Sequence, residues 1–144
     1  METQNYANHR QVVPMFHFVL FPLMVLTLIG SCVNLCCSWG DHHRLYSASL
    51  IVVLTVCVLI LSFFCRIFAL KAQDRAIRGE ENLRHFVLTG KLLDARLTIR
   101  QIIALRFASD DEFVSLAQEA AEKGMDADAI KKAVKKWRGD TYRV

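Results

Sequence analysis

Four groups of side chains in this sequence have types that could carry chemistry. They are the histidines His17, His42 and His43, the cysteines Cys32, Cys36, Cys37, Cys57 and Cys65, the carboxylates Asp110-Asp111-Glu112, and the basic run Lys131, Lys132, Lys135, Lys136, Arg138. A histidine inside an apolar stretch can ligate haem or relay protons, and ionisable residues within membrane spans lean towards function. Haem in a helical bundle takes a second axial histidine at matching depth, and the second apolar block of this chain has none. His17 therefore reads as an interfacial or packing residue about one turn inside its block. His42-His43 reads as a polar turn, with external metal binding as the alternative. No CxxC or Cys/His metal spacing occurs, so the cysteines read as small hydrophobes. The carboxylate trio falls where a helix should start, and acids there cap. No G-x-S-x-G, P-loop, H-E-x-x-H or dinucleotide fingerprint is present. We expect no catalytic, cofactor-binding or metal residues, no cofactor and no enzymatic activity.

These residues sit on a strongly divided chain. Positions 11–40 and 45–65 contain no Asp, Glu, Lys or Arg, and only Asp41-His42-His43-Arg44 separates them closely. Each block is long enough to cross a hydrocarbon core of about 30 Å, which takes roughly 20 helical residues. After Leu70 come 15 of the 18 basic and 12 of the 14 acidic residues. The mean hydropathy of +0.27 averages a lipid-soluble half with a water-facing one. Ile29-Gly30-Ser31-Cys32 has the form of a lipoprotein cleavage box. The apolar run continues past Cys32, so an uncleaved span is expected.

Orientation follows the basic residues near span ends. The turn carries Arg44, offset by Asp41. The other side carries Arg10, Arg66, Lys71, Arg75 and Arg78, so both termini are expected in the cytoplasm. Arg66 reads as a snorkelling residue at the interface. Pro22 lies deep enough in the first span to kink it. Gly30, Ser31 and Asn34 on the first span face Ser47, Ala48, Ser49 and Thr55 on the second as small and polar residues. Such residues let helices approach closely and hydrogen-bond across the contact.

The water-facing half reads as helices throughout. The second span should continue as one helix to Gly90, supported by Asp74/Arg78 and Glu80/Arg84 at i,i+4. Thr98-Ile99-Arg100-Gln101 and Ser109-Asp110-Asp111-Glu112 have the form of capping boxes. Phe113, Leu116, Ala117 and Ala120 repeat at helical spacing, and Gly124 ends that helix. Asp126 caps a last helix whose apolar stripe is Ile130, Ala133, Val134 and Trp137, with Met125 and Ile130 placed as a staple. Phe113 and Trp137 are the expected largest core residues. On that last helix the basic run reads first as a solvated face. Contact with anionic lipid is the alternative, and nucleic acid is disfavoured because no aromatic platform accompanies the lysines.

Several blocks carry a resemblance: Gln4-Asn5-Tyr6 with Asn8-His9, Pro14-Met15-Phe16-His17, Lys71 to Arg78, Glu80-Glu81-Asn82-Leu83-Arg84, Arg100 to Asp110, and Ile130 to Trp137. Together they resemble a family of small bacterial membrane proteins classed only as a domain of unknown function. The resemblance covers nearly the whole chain and implies two transmembrane helices with a cytoplasmic helical tail. It implies no activity and no catalytic residue.

The expected fold is all-α. It has a cytoplasmic segment over 1–11, a span over 12–38, an external turn over 39–44 and a span over 45–70. A helical extension follows over 71–90, then a three-helix cytoplasmic domain over 91–144. The expected function is that of a non-enzymatic accessory, scaffold or regulatory subunit of the bacterial inner membrane. The alternative is a self-assembling transporter or channel component, with Thr27, Ser31 and Asn34 lining a path. Partners are the bilayer and either another protein or further copies of the chain. Surface or partner contact is assigned to Arg66, Lys71, Arg75, Arg78, Lys131, Lys132, Lys135, Lys136 and Arg138. Helix packing is assigned to Gly30, Ser31, Asn34, Ser47 and Ser49.

Overall fold

The computed structural model describes residues 4–9 and 12–140, so Arg10 lies outside it. Among these residues the chain is all-helical, with one isolated antiparallel bridge between Ala108 and Trp137. Helix α1 spans Phe21–Cys37, α2 His42–Thr89, α3 Ile99–Leu105, α4 Asp110–Lys123 and α5 Ala127–Ala133. The chain divides into two compact units, one of residues 12–69 and one of residues 70–144 joined by the first eleven.

In the first unit, Pro22 has no N–H for the carbonyl four residues back. The chain responds by widening its turn. Met15–Leu20 is π-helical and runs directly into α1, and the Phe21 N–H bonds the Phe16 carbonyl five residues away. Buried and half-buried positions recur along α1 and just past it at Met24, Leu28, Ser31, Leu35 and Ser38. They recur along α2 at Leu45, Ala48, Val52, Thr55, Leu59, Ser62 and Arg66. Spacings of three and four alternate in both rows, the repeat of helices that pack along a seam. Phe21 meets Phe63 edge to face with ring centroids 6.2 Å apart, and the Arg66 guanidinium lies 5.1 Å from the Phe16 ring centre.

The small-residue expectation is corrected in part. Ser31 is buried and Ser49 half-buried, but Gly30, Asn34 and Ser47 are exposed. A side chain added at Gly30 would meet nothing within 4 Å. The hydroxyls also do not reach across. Ser31 donates to the Leu28 carbonyl at 2.8 Å, Ser49 to Tyr46 at 2.7 Å and Thr55 to Ile51 at 2.8 Å. In apolar surroundings a hydroxyl finds its nearest acceptor on its own helix.

The turn after α1 is tighter than 39–44. Gly40 adopts φ +101°. Asp41 then caps α2, its carboxylate accepting from the Arg44 N–H at 3.2 Å. His42, His43 and Arg44 thus form the first turn of a helix. Gly79 does not interrupt α2, which ends where Gly90 turns left-handed at φ +73° and donates to the Phe86 carbonyl.

In the second unit α3, α4 and α5 close a core containing Ile102, Leu105, Phe113, Leu116, Ala120 and Ile130. Thr98 and Gln101 make the reciprocal capping box. Asp126 caps α5, accepting from the Ala129 N–H at 2.6 Å, and Gly124 ends α4 at φ +61°. The Ser109 box does not form. Ser109 caps α4 through its backbone alone, while the Glu112 carboxylate accepts from the Lys135 and Lys136 N–H groups at 3.2 and 3.0 Å. Helix α5 also stops early. Val134 is extended at ψ 119°, and Trp137 leaves the helical stripe to pair with Ala108. Trp137 is half-buried. Among the described residues the fully buried large aromatics are Phe113 and Phe107, and the Phe107 ring packs at a tilt against Trp137 with centroids 4.9 Å apart.

Candidate functional site

The expected contact surface was the basic run near the end of the chain. Because the chain leaves the helix after Ala133, Lys131 and Lys132 stay on α5 while Lys135, Lys136 and Arg138 lie on the extended segment beyond it. Lys132 pairs with Asp128 at 2.9 Å and Lys136 with Asp111 at 2.9 Å. Arg138 approaches the buried Glu81 at 3.8 Å. Lys131 is half-buried, its ammonium 3.2 Å from His9 Nε2. Lys135 is exposed at its side chain and held through its backbone by Glu112. The carboxylate trio that looked like a helix cap serves largely to seat this segment. Both lysine–aspartate pairs raise the lysine pKa through the hydrogen bond to the carboxylate. Three of the five cations thus lie beside acids, while Lys131 meets His9 and the Lys135 side chain is exposed.

The remaining basic residues lie on α2. Lys71, Arg75 and Arg78 are exposed, and Arg66 is half-buried. Arg75, Arg78 and Lys71 form no ion pair among the described residues.

Two structural arrangements were not anticipated. The first is a strap. Residues 4–9 lie on the second unit: Tyr6 Oη donates to Asp128 Oδ1 at 2.8 Å, and the Asp140 N–H donates to Gln4 Oε1 at 2.7 Å. The Lys132 ammonium sits 5.5 Å from the Tyr6 ring centre. The His9 ring lies 5.9 Å from Phe107 and 6.0 Å from Trp137. An ammonium only donates, so the Lys131 contact makes His9 Nε2 the acceptor and leaves Nδ1–H for the Tyr6 carbonyl at 2.6 Å. The hydrogen bond to Asp128 raises the Tyr6 pKa. Lys132, and then Tyr6, lower that of Asp128. Tyr6 and His9 are the aromatic residues of a polar leader, which is the signal that could have marked a docked segment.

The second is Arg84. Its guanidinium lies 4.2 Å over the Phe113 ring and donates to Asp110 at 2.7 Å, to the Ala108 carbonyl at 2.7 Å and to Glu81 at 3.0 Å. The expected partner was Glu80. Arg84 instead takes Glu81, because Glu81 shares the inward face with Ile77 while Glu80 is exposed. Nearby, Arg106 pairs with Asp140 at 3.1 Å, an ion pair without hydrogen-bond alignment at Nε.

The second unit also holds a pocket of about 310 Å³ lined by His85, Leu92, Leu93, Leu97, Val114 and Gln118 among others. At its rim Asp94 is held down to about 2 by the hydrogen bonds of Arg96. Among the described residues no three His, Cys, Asp or Glu side chains gather as a metal site.

These features define a class of protein: an all-helical chain with two helices long and apolar enough to cross a membrane, followed by a charged helical domain. Within that class the chain belongs to a family of unknown function, DUF6526, whose model matches residues 1–144. No curated protein and no solved structure matches the chain.

Proposed function

We propose that this is a non-enzymatic membrane-anchored scaffold or accessory subunit that presents a helical domain at the cytoplasmic face of a bacterial inner membrane. The observation that carries this reading is the contrast in exposure. Only 11% and 6% of the two apolar windows are buried within the chain, whereas the tail closes a core in which Phe113, Leu105 and Ile130 are inaccessible. Apolar helices this bare need lipid around them. The matched seams of Met24 to Ser38 and Leu45 to Arg66 support an antiparallel hairpin. The strap supports an even number of crossings, since residues 4–9 and the tail belong to one unit. With Arg66 at the end of the second span and Lys71, Arg75 and Arg78 beyond it, the basic side is the cytoplasmic one.

The transporter alternative draws less support. Its path residues Thr27 and Ser31 direct their hydroxyls to carbonyls of their own helix at 2.8 Å. The test is two-fold. Reporter fusions at both termini are expected to be active only in the cytoplasm, and gentle solubilisation should retain a stoichiometric partner. A terminus reporting from the outside would overturn the topology. Isolation as a lone monomer under mild conditions would overturn the subunit reading.

A further inference from the structure

The part of α2 beyond Leu70 has two opposite faces. One carries Ile77, Glu81 and Arg84 and packs inward within the second unit. The other carries Ala72, Ala76, Gly79, Leu83 and Phe86, all exposed, with Val87 beside them. Leu83 is 64% exposed, Phe86 51% and Val87 75%, which is much apolar surface for a segment outside the apolar blocks. The spacings along this outer face are four, three, four and three. That is the repeat of a two-helix seam, not of a scattered surface. The small residues at 72, 76 and 79 let a partner backbone come close, and a side chain at Gly79 would meet nothing within 4 Å.

The flanking charges select the partner. In this repeat Arg75 and Glu80 occupy the two positions that border the seam, on opposite sides. Both are exposed, and neither forms an ion pair among the described residues. In a parallel pair of identical helices, a residue at the first border position meets the one five places later on the other helix. Arg75 of each copy then faces Glu80 of the other, twice by symmetry. An antiparallel pair would set Arg75 against residues of its own border row, Phe68, Arg75 or Asn82, none of them acidic.

We propose that this face is the seam of a parallel dimer of the chain, formed by Ala72, Ala76, Gly79, Leu83 and Phe86 and closed by reciprocal Arg75–Glu80 pairs. The parallel direction also rests on the membrane anchorage proposed above, which makes both copies of α2 leave the bilayer the same way. The test uses the full chain in mild detergent, with mass measured by sedimentation equilibrium. Wild type is expected at two copies. R75E and E80R should each weaken association about tenfold by placing like charges at both borders, and R75E/E80R should restore it to within about threefold. L83E should leave monomer, with helicity unchanged because the site is exposed. A monomeric wild type, more than two copies of the chain per complex, or single reversals that leave association unchanged would overturn the proposal. So would a double variant as weak as the singles. Carbonate extraction scores the membrane anchor independently, so failure of the anchor and failure of the dimer give different results.

Discussion

Tyr6 Oη donates a 2.8 Å hydrogen bond to Asp128 Oδ1, a residue 122 positions further along the chain. This bond ties the start of the chain to its last helix. It also gives strap docking a defined dependence on pH. Asp128 is lowered in the folded state, so its contribution is complete above the ordinary aspartate value of about 4 and is lost as pH falls through the lowered one. Tyr6 is raised, so its contribution is complete below about 10 and is lost as pH rises through the raised value. Protection of the residue 4–9 amides, measured against the free-chain exchange rate at each pH, is expected to hold between about pH 5 and 9 and to fall beyond either limit. Tyr6→Phe should abolish the alkaline arm, because the titrating hydroxyl is gone, and weaken the acid arm, because Asp128 then bonds Lys132 but no hydroxyl of the strap. An unchanged alkaline arm in that variant would refute the assignment.

Arg84 should be the most sensitive charged position of the second unit. Its side chain is 10% exposed and that of Glu81 6%. Arg84→Ala leaves Glu81 buried with only Arg138 at 3.8 Å. Removing one partner of a buried pair costs about 3 kcal/mol, and the Ala108 carbonyl loses its donor as well. Asp110→Asn, at a carboxylate 67% exposed, should cost less than about 1 kcal/mol. Urea unfolding in detergent, followed by Trp137 fluorescence in a Trp39→Phe background, separates the two. Equal losses would contradict the hub role of Arg84.

Phe107, not Trp137, should dominate the aromatic contribution to the tail. Phe107 is 1% exposed, and truncation to alanine at such a site costs about 3–5 kcal/mol. Trp137 is half-buried, so Trp137→Ala should cost less while uncovering the Phe107 ring. Thermal denaturation of the two variants checks the order. A larger loss at Trp137 would restore it as the principal core aromatic.

The Thr98 cap offers a graded comparison. Thr98→Ala removes a side-chain cap worth about 1 kcal/mol. Gln101→Ala should cost more. Gln101 closes the same box and also donates from Nε2 to the Met125 carbonyl at 2.7 Å, which links the start of α3 to the loop before α5. If both variants lose the same amount, the Met125 bond contributes nothing.

Local features of this chain were legible wherever the deciding interaction lies within a few residues. The Thr98 and Asp126 caps and the left-handed glycines at 90 and 124 depend on neighbours three or four places away, and their residue types announce them. Ser109 has the same signature, but its box did not form. The Lys135–Lys136 backbone, more than twenty residues away in sequence, presents donors that Glu112 prefers. The helical repeat likewise carried Trp137 into α5. A bridge to Ala108 ends the helix first, because two backbone partners and the Phe107 ring outweigh one more turn. The outer row on α2 was open to counting, but its exposure was not. Periodicity reports that a face exists, without saying which of two faces the fold covers.

The sequence by itself determined the division into apolar and charged halves, the helical class, and most helix ends. Hydropathy, helical repeat and capping are properties of contiguous residues, so they survive without any knowledge of what packs on what. Only the tertiary structure decided that Lys136 and Arg138 lie beside Asp111 and Glu81, that Arg84 joins α2 to Asp110 and Ala108, and that residues 4–9 belong to the domain at the other end of the chain. Each of those depends on groups brought together across more than 20 positions. Chain closure over such lengths leaves no periodic trace in sequence.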